Sequence, residues 1–341
     1  MKVAYLIITH RNPRLLQRLI QHVSGEDSSF FIHVDAKADF NKFVGISGEN
    51  VHFTCNRIPV YWGEFSQVTA SLVLIEEALA ARYKPDYLML LTGSEFPLRS
   101  RDYIHHFLQR QRGREFITLA RTPSPDPLER INTIRFPVKQ PVRRFVFRGL
   151  AKVGLASRDY RKYFGELEPY SGIGSWALTR EACHYILDFT KRDRTIAKFF
   201  QYVHASDEAY IHTILGNSPY RAKAQRCFLF EDWSGCVHHP RMIDEQHLRY
   251  FESQPEVIVT DCDGTSEVLF ARKYSDDRFD MVEATSAMIA RKEGLTPEYK
   301  SSDRTVGSRA QNQLIGWAAA HAEANAQRLT SNSHAWHSWN N

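Results

Sequence analysis

The first 120 residues alternate short apolar runs with stretches of helical period, and this alternation constrains the fold more than any other feature. Residues 3–8 read as a buried strand, and Pro13 opens a helix with Leu15, Leu16, Leu19, Ile20 and Val23 on one face. Residues 30–34 and 51–55 read as further strands. Val68, Leu72, Ile75 and Leu79 mark a strong helix at heptad-like spacing. Residues 87–91 and 115–119 complete the strands of this half. Strands joined by helical crossovers imply an α/β fold, with a mostly parallel central sheet flanked by helices. Ligands of such sheets sit beyond the C-terminal strand ends. The polar residues that follow the strands are therefore the first candidates: Thr9 and His10, Asp35, and Thr92-Gly93-Ser94-Glu95.

Past Arg121 the alternation fades into a stretch punctuated by Pro123, Pro125, Pro127 and Pro137. A basic, aromatic-interleaved segment at 143–162 follows, and helical signals return at 180–189 and 207–215. Beyond about residue 300 the chain is rich in Ala, Gln, Asn and Ser, which predicts a mobile tail with one helix near 311–326.

Several function classes are excluded or weakened. No GxGxxG or GxxxxGK[ST] loop follows the first strand, which argues against a dehydrogenase or a P-loop enzyme. A net charge of +5 suits an anionic small molecule or surface and is too mild to argue for nucleic acid. The five cysteines are scattered without zinc spacing and read as buried thiols of a reducing compartment. No signal peptide or apolar span is visible, so the expected location is cytoplasmic, with peripheral contact at the inner membrane.

The individual motifs each admit two readings. Asp35 fits a ribose or uracil ligand and a strand-end turn residue equally well. Thr179 is placed to cap a helix, with Glu181 in its first turn, where an acid serves the helix dipole or stays ionised as a base. Ser206-Asp207-Glu208 reads as a helix start whose acids are structural. Asp261-Cys262-Asp263 matches a bare D-x-D, read as a turn ahead of a metal site. Arg272 and Lys273 follow an apolar anchor and fit either a diphosphate clamp or a solvated pair. The 143–162 segment fits anionic lipid headgroups or a solvated loop.

Eight blocks in order resemble the core-2/I-branching β-1,6-N-acetylglucosaminyltransferase and peptide O-xylosyltransferase family, glycosyltransferase family 14. They include Tyr5-Leu6-Ile7-Ile8-Thr9-His10, Ile32-His33-Val34-Asp35, Tyr61-Trp62-Gly63-Glu64, Leu91-Thr92-Gly93-Ser94-Glu95-Phe96-Pro97-Leu98-Arg99-Ser100, Thr179-Arg180-Glu181, Ser206-Asp207-Glu208, Trp233, and Phe270-Ala271-Arg272-Lys273. The resemblance implies a GT-A-like fold and an inverting transfer from a UDP-sugar, a co-substrate, with no cofactor and no metal. It implies Glu181 as general base and donor contacts from Thr9, His10, Asp35, Tyr61 and Trp62. Arg241 and Lys273 would neutralise the departing diphosphate, and Glu95, Arg130 and Trp233 would meet the acceptor. The family's Gly-Ser-x-Trp is here Gly174-Ser175-Trp176, with Gly174 where xylosyltransferase-like members tend to carry an acid, which favours an N-acetylglucosaminyl-type base at Glu181; GlcNAc is the expected donor, with xylose the alternative. The membrane anchor and disulfides of animal members are not seen, which suggests a bacterial enzyme acting on glycan or lipid-linked glycan acceptors in surface polysaccharide synthesis. The expected division is a UDP-binding half at 1–120, an acceptor and catalytic half at 121–280, and a C-terminal helix and tail at 281–341. Rival readings are a nucleotidyltransferase and a non-catalytic sugar-binding or assembly protein.

Overall fold

A computed structural model describes residues 1–121, 130–152, 155–234, 239–261 and 264–294. These fall into two compact units that interleave along the chain. The first comprises Met1–Arg11, Glu26–Thr92 and Gln111–Cys227, and the second Asn12–Gly25, Gly93–Arg110 and Phe228–Asn341. The chain changes unit at strand and helix ends rather than once along its length. The tail beyond residue 300, with its expected helix, lies outside the described residues, as do Pro123, Pro125 and Pro127.

In chain order the strands are β1 (Val3–Thr9), β2 (Ser28–Val34), β3 (Val51–Phe53), β4 (Tyr87–Thr92), β5 (Glu95–Pro97), β6 (Glu115–Phe116) and β7 (Ala120–Arg121). They continue as β8 (Tyr170–Ser171), β9 (Trp176–Thr179), β10 (Ala224–Gln225), β11 (Leu229–Glu231), β12 (Ile258–Asp261), β13 (Gly264–Glu267) and β14 (Phe270–Arg272).

The first unit holds the central sheet, ordered β10-β6-β9-β4-β1-β2-β3. β3, β2, β1 and β4 run parallel, as the alternating pattern requires. β2 is buried at every position, which is what a parallel strand covered on both faces demands. The Phe65–Ala80 helix supplies part of that cover through Val68, Leu74, Ile75 and Ala78. Leu72, expected on this face, is only half-buried, and Leu74 takes the central place. Truncating Leu74 to Ala there would cost about 3 kcal/mol.

β9 is the exception in the sheet. It lies antiparallel between β4 and β6, pairing Leu90 with Trp176 and Tyr87 with Thr179. Its exit into the Arg180–Arg192 helix is fixed twice. The Thr179 hydroxyl accepts from the Ala182 amide, and the buried Glu115 carboxylate accepts from the Thr179 amide at 2.8 Å and its hydroxyl at 2.7 Å. Burial raises the Glu115 carboxyl above its ordinary range.

The second unit contains the sheet β11-β14-β5 and the β12-β13 hairpin. Its Pro13–Val23 helix starts from Asn12 in the left-handed region (φ 61°) and has no side-chain cap of its own. Asp276 substitutes, accepting from the Arg14 and Leu15 amides, while the Asn12 amide group donates to the Gly93 carbonyl and its carbonyl accepts from the Asp276 amide. Cys183 and Cys227 are buried thiols as expected, but Cys55, which follows the edge strand β3, is exposed. Cys236 and Cys262 lie outside the described residues. No helix among the described residues is long and apolar enough to cross a membrane.

Candidate functional site

In the first unit, several expected residues converge at the C-terminal edge of the parallel strands. Thr9 ends β1 and is buried, its hydroxyl donating to the Arg11 carbonyl at 2.7 Å, while His10 beside it is exposed. Asp35 follows β2. Its Oδ1 accepts from the amides of Lys37 (2.9 Å) and Val60 (3.2 Å), and Oδ2 accepts from Lys37 Nζ at 2.6 Å. Burial opposes the charged form here, but these donors outweigh it and hold the Asp35 carboxyl below the usual range. Asp35 thus spends much of its acceptor capacity on anchoring the turn at Val60, so the turn-residue reading is realised whatever else it binds.

That turn presents the two aromatics. The Tyr61 ring sits 4.3 Å from Lys37 Nζ and borders a pocket with Pro59, Glu64, Pro137, Gln140 and Tyr202. Trp62 is 71% exposed and meets His204 edge-on at 5.1 Å, which leaves most of an indole face available to a sugar. Gly63 has φ +69°, and a Cβ there would strike the His204 ring at 2.5 Å. Burial, reinforced by Arg135 and Arg130, pushes His204 down to about 4, so it is neutral near pH 7.

The Gly63 carbonyl accepts from the Ala205 amide at 2.8 Å, and this bond brings Ser206-Asp207-Glu208 to the same edge. Asp207 accepts from Gln67 at 3.0 Å. Glu208 Oε2 accepts from Arg130 Nη1 at 2.9 Å, with side chains 31% and 14% exposed respectively. The backbone of Glu208 is pinned as well, since its carbonyl accepts from the Gly172 amide at 2.9 Å. Gly172 precedes β9, and because β9 is antiparallel its leading end lies at the C-terminal edge of β4. Behind it His212 is fully buried and pushed to about 4 by desolvation, its Nε2–H donating to the Ile173 carbonyl at 2.9 Å. A half-exposed carboxylate braced by an arginine, beside an exposed indole, can receive a proton from a bound hydroxyl. Residue order favoured a structural reading of Glu208. The one signal for it was its place in the Ser206-Asp207-Glu208 block, while no local pattern links it to Arg130.

Glu181 is placed elsewhere, apart from the residues expected to act with it. It begins the helix after β9, at the Thr179 end of that strand, where the Arg180 amide donates to the Asp86 carbonyl just before β4. This is the N-terminal edge of the parallel strands. Six residues of β4 separate the two edges, on the order of 20 Å at strand rise. Glu181 is exposed and remote from Thr9, Asp35, Tyr61, Trp62 and Arg130. The helix-dipole reading accounts for it.

In the second unit, Glu95, Arg272 and Glu231 stand opposite one another across β5, β14 and β11. Arg272 Nη1 donates to Glu231 Oε1 at 3.3 Å, and Trp233 Nε1 donates to Glu231 Oε2 at 3.3 Å. Glu95 is almost fully buried and Trp233 half-buried. Lys273 is tied to Arg241 through the backbone: its amide donates to the Arg241 carbonyl at 3.3 Å, and its carbonyl accepts from the Ile243 amide at 3.0 Å. The Arg241 guanidinium meets Asp232 at 3.5 Å and Asp244 at 3.2 Å. The structure therefore brings Arg241 and Lys273 together, and gathers Glu95 and Trp233 around the Glu231–Arg272 pair. Of the D-x-D pattern, Asp261 pairs with Gly264 across the β12-β13 hairpin, while Cys262 and Asp263 lie outside the described residues.

Among known proteins the chain is similar to several xylosyltransferases. Xylosyltransferase oxt of Drosophila pseudoobscura pseudoobscura is 23% identical over 304 residues, covering 80% of this chain and 31% of its own length. Xylosyltransferase sqv-6 of Caenorhabditis elegans is 22% identical over 327 residues, covering 87% of this chain and 37% of its own. Xylosyltransferase 2 of Rattus norvegicus is 26% identical over 233 residues, covering 64% and 25%. The chain thus spans at most 37% of the length of these relatives. Residues 3–254 match the family model described as Core-2/I-Branching enzyme, and the chain belongs to that family.

Proposed function

We propose that this chain is an inverting glycosyltransferase with a GT-A-like fold, moving a sugar from a UDP-sugar to a glycan hydroxyl and forming a β-linkage. The observation that carries this reading is Glu208, a carboxylate braced by Arg130 at the edge of a parallel sheet where nucleotide ligands bind. Membership of a branching-enzyme family supports the same chemistry.

In the proposed reaction Glu208 takes the proton of the acceptor hydroxyl as that oxygen attacks the anomeric carbon. The bond from the anomeric carbon to the UDP oxygen breaks on the opposite face, and its electron pair leaves with the diphosphate. Arg241 and Lys273 are assigned to that developing charge, which fixed cations stabilise without a metal. Thr9, His10, Asp35 and Tyr61 are assigned to the donor, with Trp62 as a stacking face. Glu95, Arg130 and Trp233 are assigned to the acceptor.

Two donors compete. The likeness to N-acetylglucosaminyltransferases favours GlcNAc, whereas relatives named xylosyltransferases favour xylose. A glycan or lipid-linked glycan in cytoplasmic assembly of a bacterial surface polysaccharide remains the proposed acceptor. The test is UDP release from UDP-xylose and UDP-GlcNAc with an acceptor panel, with and without EDTA. Activity abolished by chelation would refute the metal-free mechanism. Pyrophosphate release from a nucleoside triphosphate would favour a nucleotidyltransferase, and UDP binding without turnover would favour a non-catalytic role.

A further inference from the structure

Among the described residues nine large apolar side chains are exposed, and six of them fall between Val138 and Tyr163. The centre of this patch is the Pro141–Lys152 helix. Val142 (75% exposed), Phe145 (80%) and Val146 (50%) recur at helical spacing i, i+3, i+4, so they form one outward stripe. The opposite side is anchored, with Phe147 against Phe136 at 4.5 Å and Phe136 against Tyr202 at 5.1 Å. The stripe is thus a fixed surface feature and not a loose end.

The charge around it is one-sided. From Arg135 to Lys162 the sequence carries nine basic residues and one acid, Asp159, a local excess of eight in a chain whose total is +5. Arg143 and Arg144 are exposed beside the stripe. An apolar stripe of this kind would be covered by something negatively charged. The chain's own segment after Gly294 is a poor complement, with four basic residues and three acids. A second copy would set like charges face to face. An anionic bilayer offers both a sink for Phe145 and Val142 and a counter-charge for the arginines.

We propose that the Pro141–Lys152 helix docks this protein on an anionic lipid surface, with Val142, Phe145 and Val146 entering the headgroup boundary. This goes beyond the transferase reading and stands without it. The test is flotation of the whole protein with phosphatidylcholine vesicles that contain about a third phosphatidylglycerol, beside vesicles of phosphatidylcholine alone. The protein is expected to float with the anionic vesicles only, and to be released by about 0.5 M salt. Each basic residue near such a surface contributes about fivefold, so Arg143→Gln with Arg144→Gln should lower partitioning more than tenfold. Val142→Ser with Phe145→Ser should lower it by roughly tenfold, with unfolding midpoint and UDP release from the donor in the presence of a soluble acceptor unchanged. Equal flotation with both vesicles, or none with either, overturns the proposal. So does a concentration-dependent dimer that Phe145→Ser dissolves, since the stripe would then belong to a second copy.

Discussion

Asp232 and His247 meet at 2.9 Å, both fully buried, and the pair stands directly behind Arg241. His247 also lies 2.6 Å from Asp244, the second acid on the Arg241 guanidinium. Replacing His247 by Ala takes a donor from a buried carboxylate and should lower unfolding free energy by about 2 kcal/mol. Urea denaturation checks this, with His247→Gln, which keeps a side-chain N–H, expected to lose less.

Glu208→Gln should lower turnover by about 10²–10⁴-fold with little change in UDP affinity, because it removes the proton acceptor and keeps the shape. Glu181→Gln should leave turnover near wild type. UDP-release assays on the two variants distinguish the edges of the sheet, and the reverse ranking would return the base to Glu181.

Acid should destabilise the fold well above the carboxylate range. His212 is held neutral, its folded value near 4 against an ordinary 6.5, so the unfolded chain binds its proton first. Its contribution is complete above pH 6.5 and is lost as pH falls through the window down to 4. His204 is displaced in the same direction, which gives the slope the same sign. Unfolding free energy should therefore fall by at least about 2 kcal/mol from pH 7 to pH 5, and His212→Gln should flatten that slope.

Gly172→Ala should cost about 3 kcal/mol, because its Cβ would lie 2.0 Å from the Thr118 carbonyl oxygen and 2.8 Å from the His212 ring. Gly45→Ala, where a Cβ meets nothing within 4 Å, should change stability by less than about 0.5 kcal/mol. Thermal or urea unfolding of the two variants provides the comparison.

The parallel strands were legible because burial on both faces forces apolar runs, and the observed β1, β2 and β4 extend the expected runs by two residues or fewer. Thr179 was legible as a cap for a similar local reason, a hydroxyl just ahead of an apolar-faced helix. The resemblance puts the base at Glu181, whereas the strand that leads into it places that residue at the opposite edge of the sheet. A residue after a strand lies at the ligand-binding edge only if that strand runs with its neighbours, and β9 runs against them. Direction is settled by pairing with β4 and β6, which four residues of Trp-Ala-Leu-Thr do not encode. The ion pair of Glu208 with Arg130 was illegible for a related reason, since the partners are 78 residues apart.

The interleaving of the two units bears on how the protein can be taken apart. The chain passes from one to the other five times, after Arg11, Gly25, Thr92, Arg110 and Cys227. No single proteolytic cut can release either unit intact, and neither can be produced by trimming one end. A fragment stopping at Cys227 would keep β5 but lose β14, the strand that covers its edge. That fragment would carry an open strand edge of the kind that seeds aggregation. Dissection of this protein is therefore a matter of point substitutions rather than truncations.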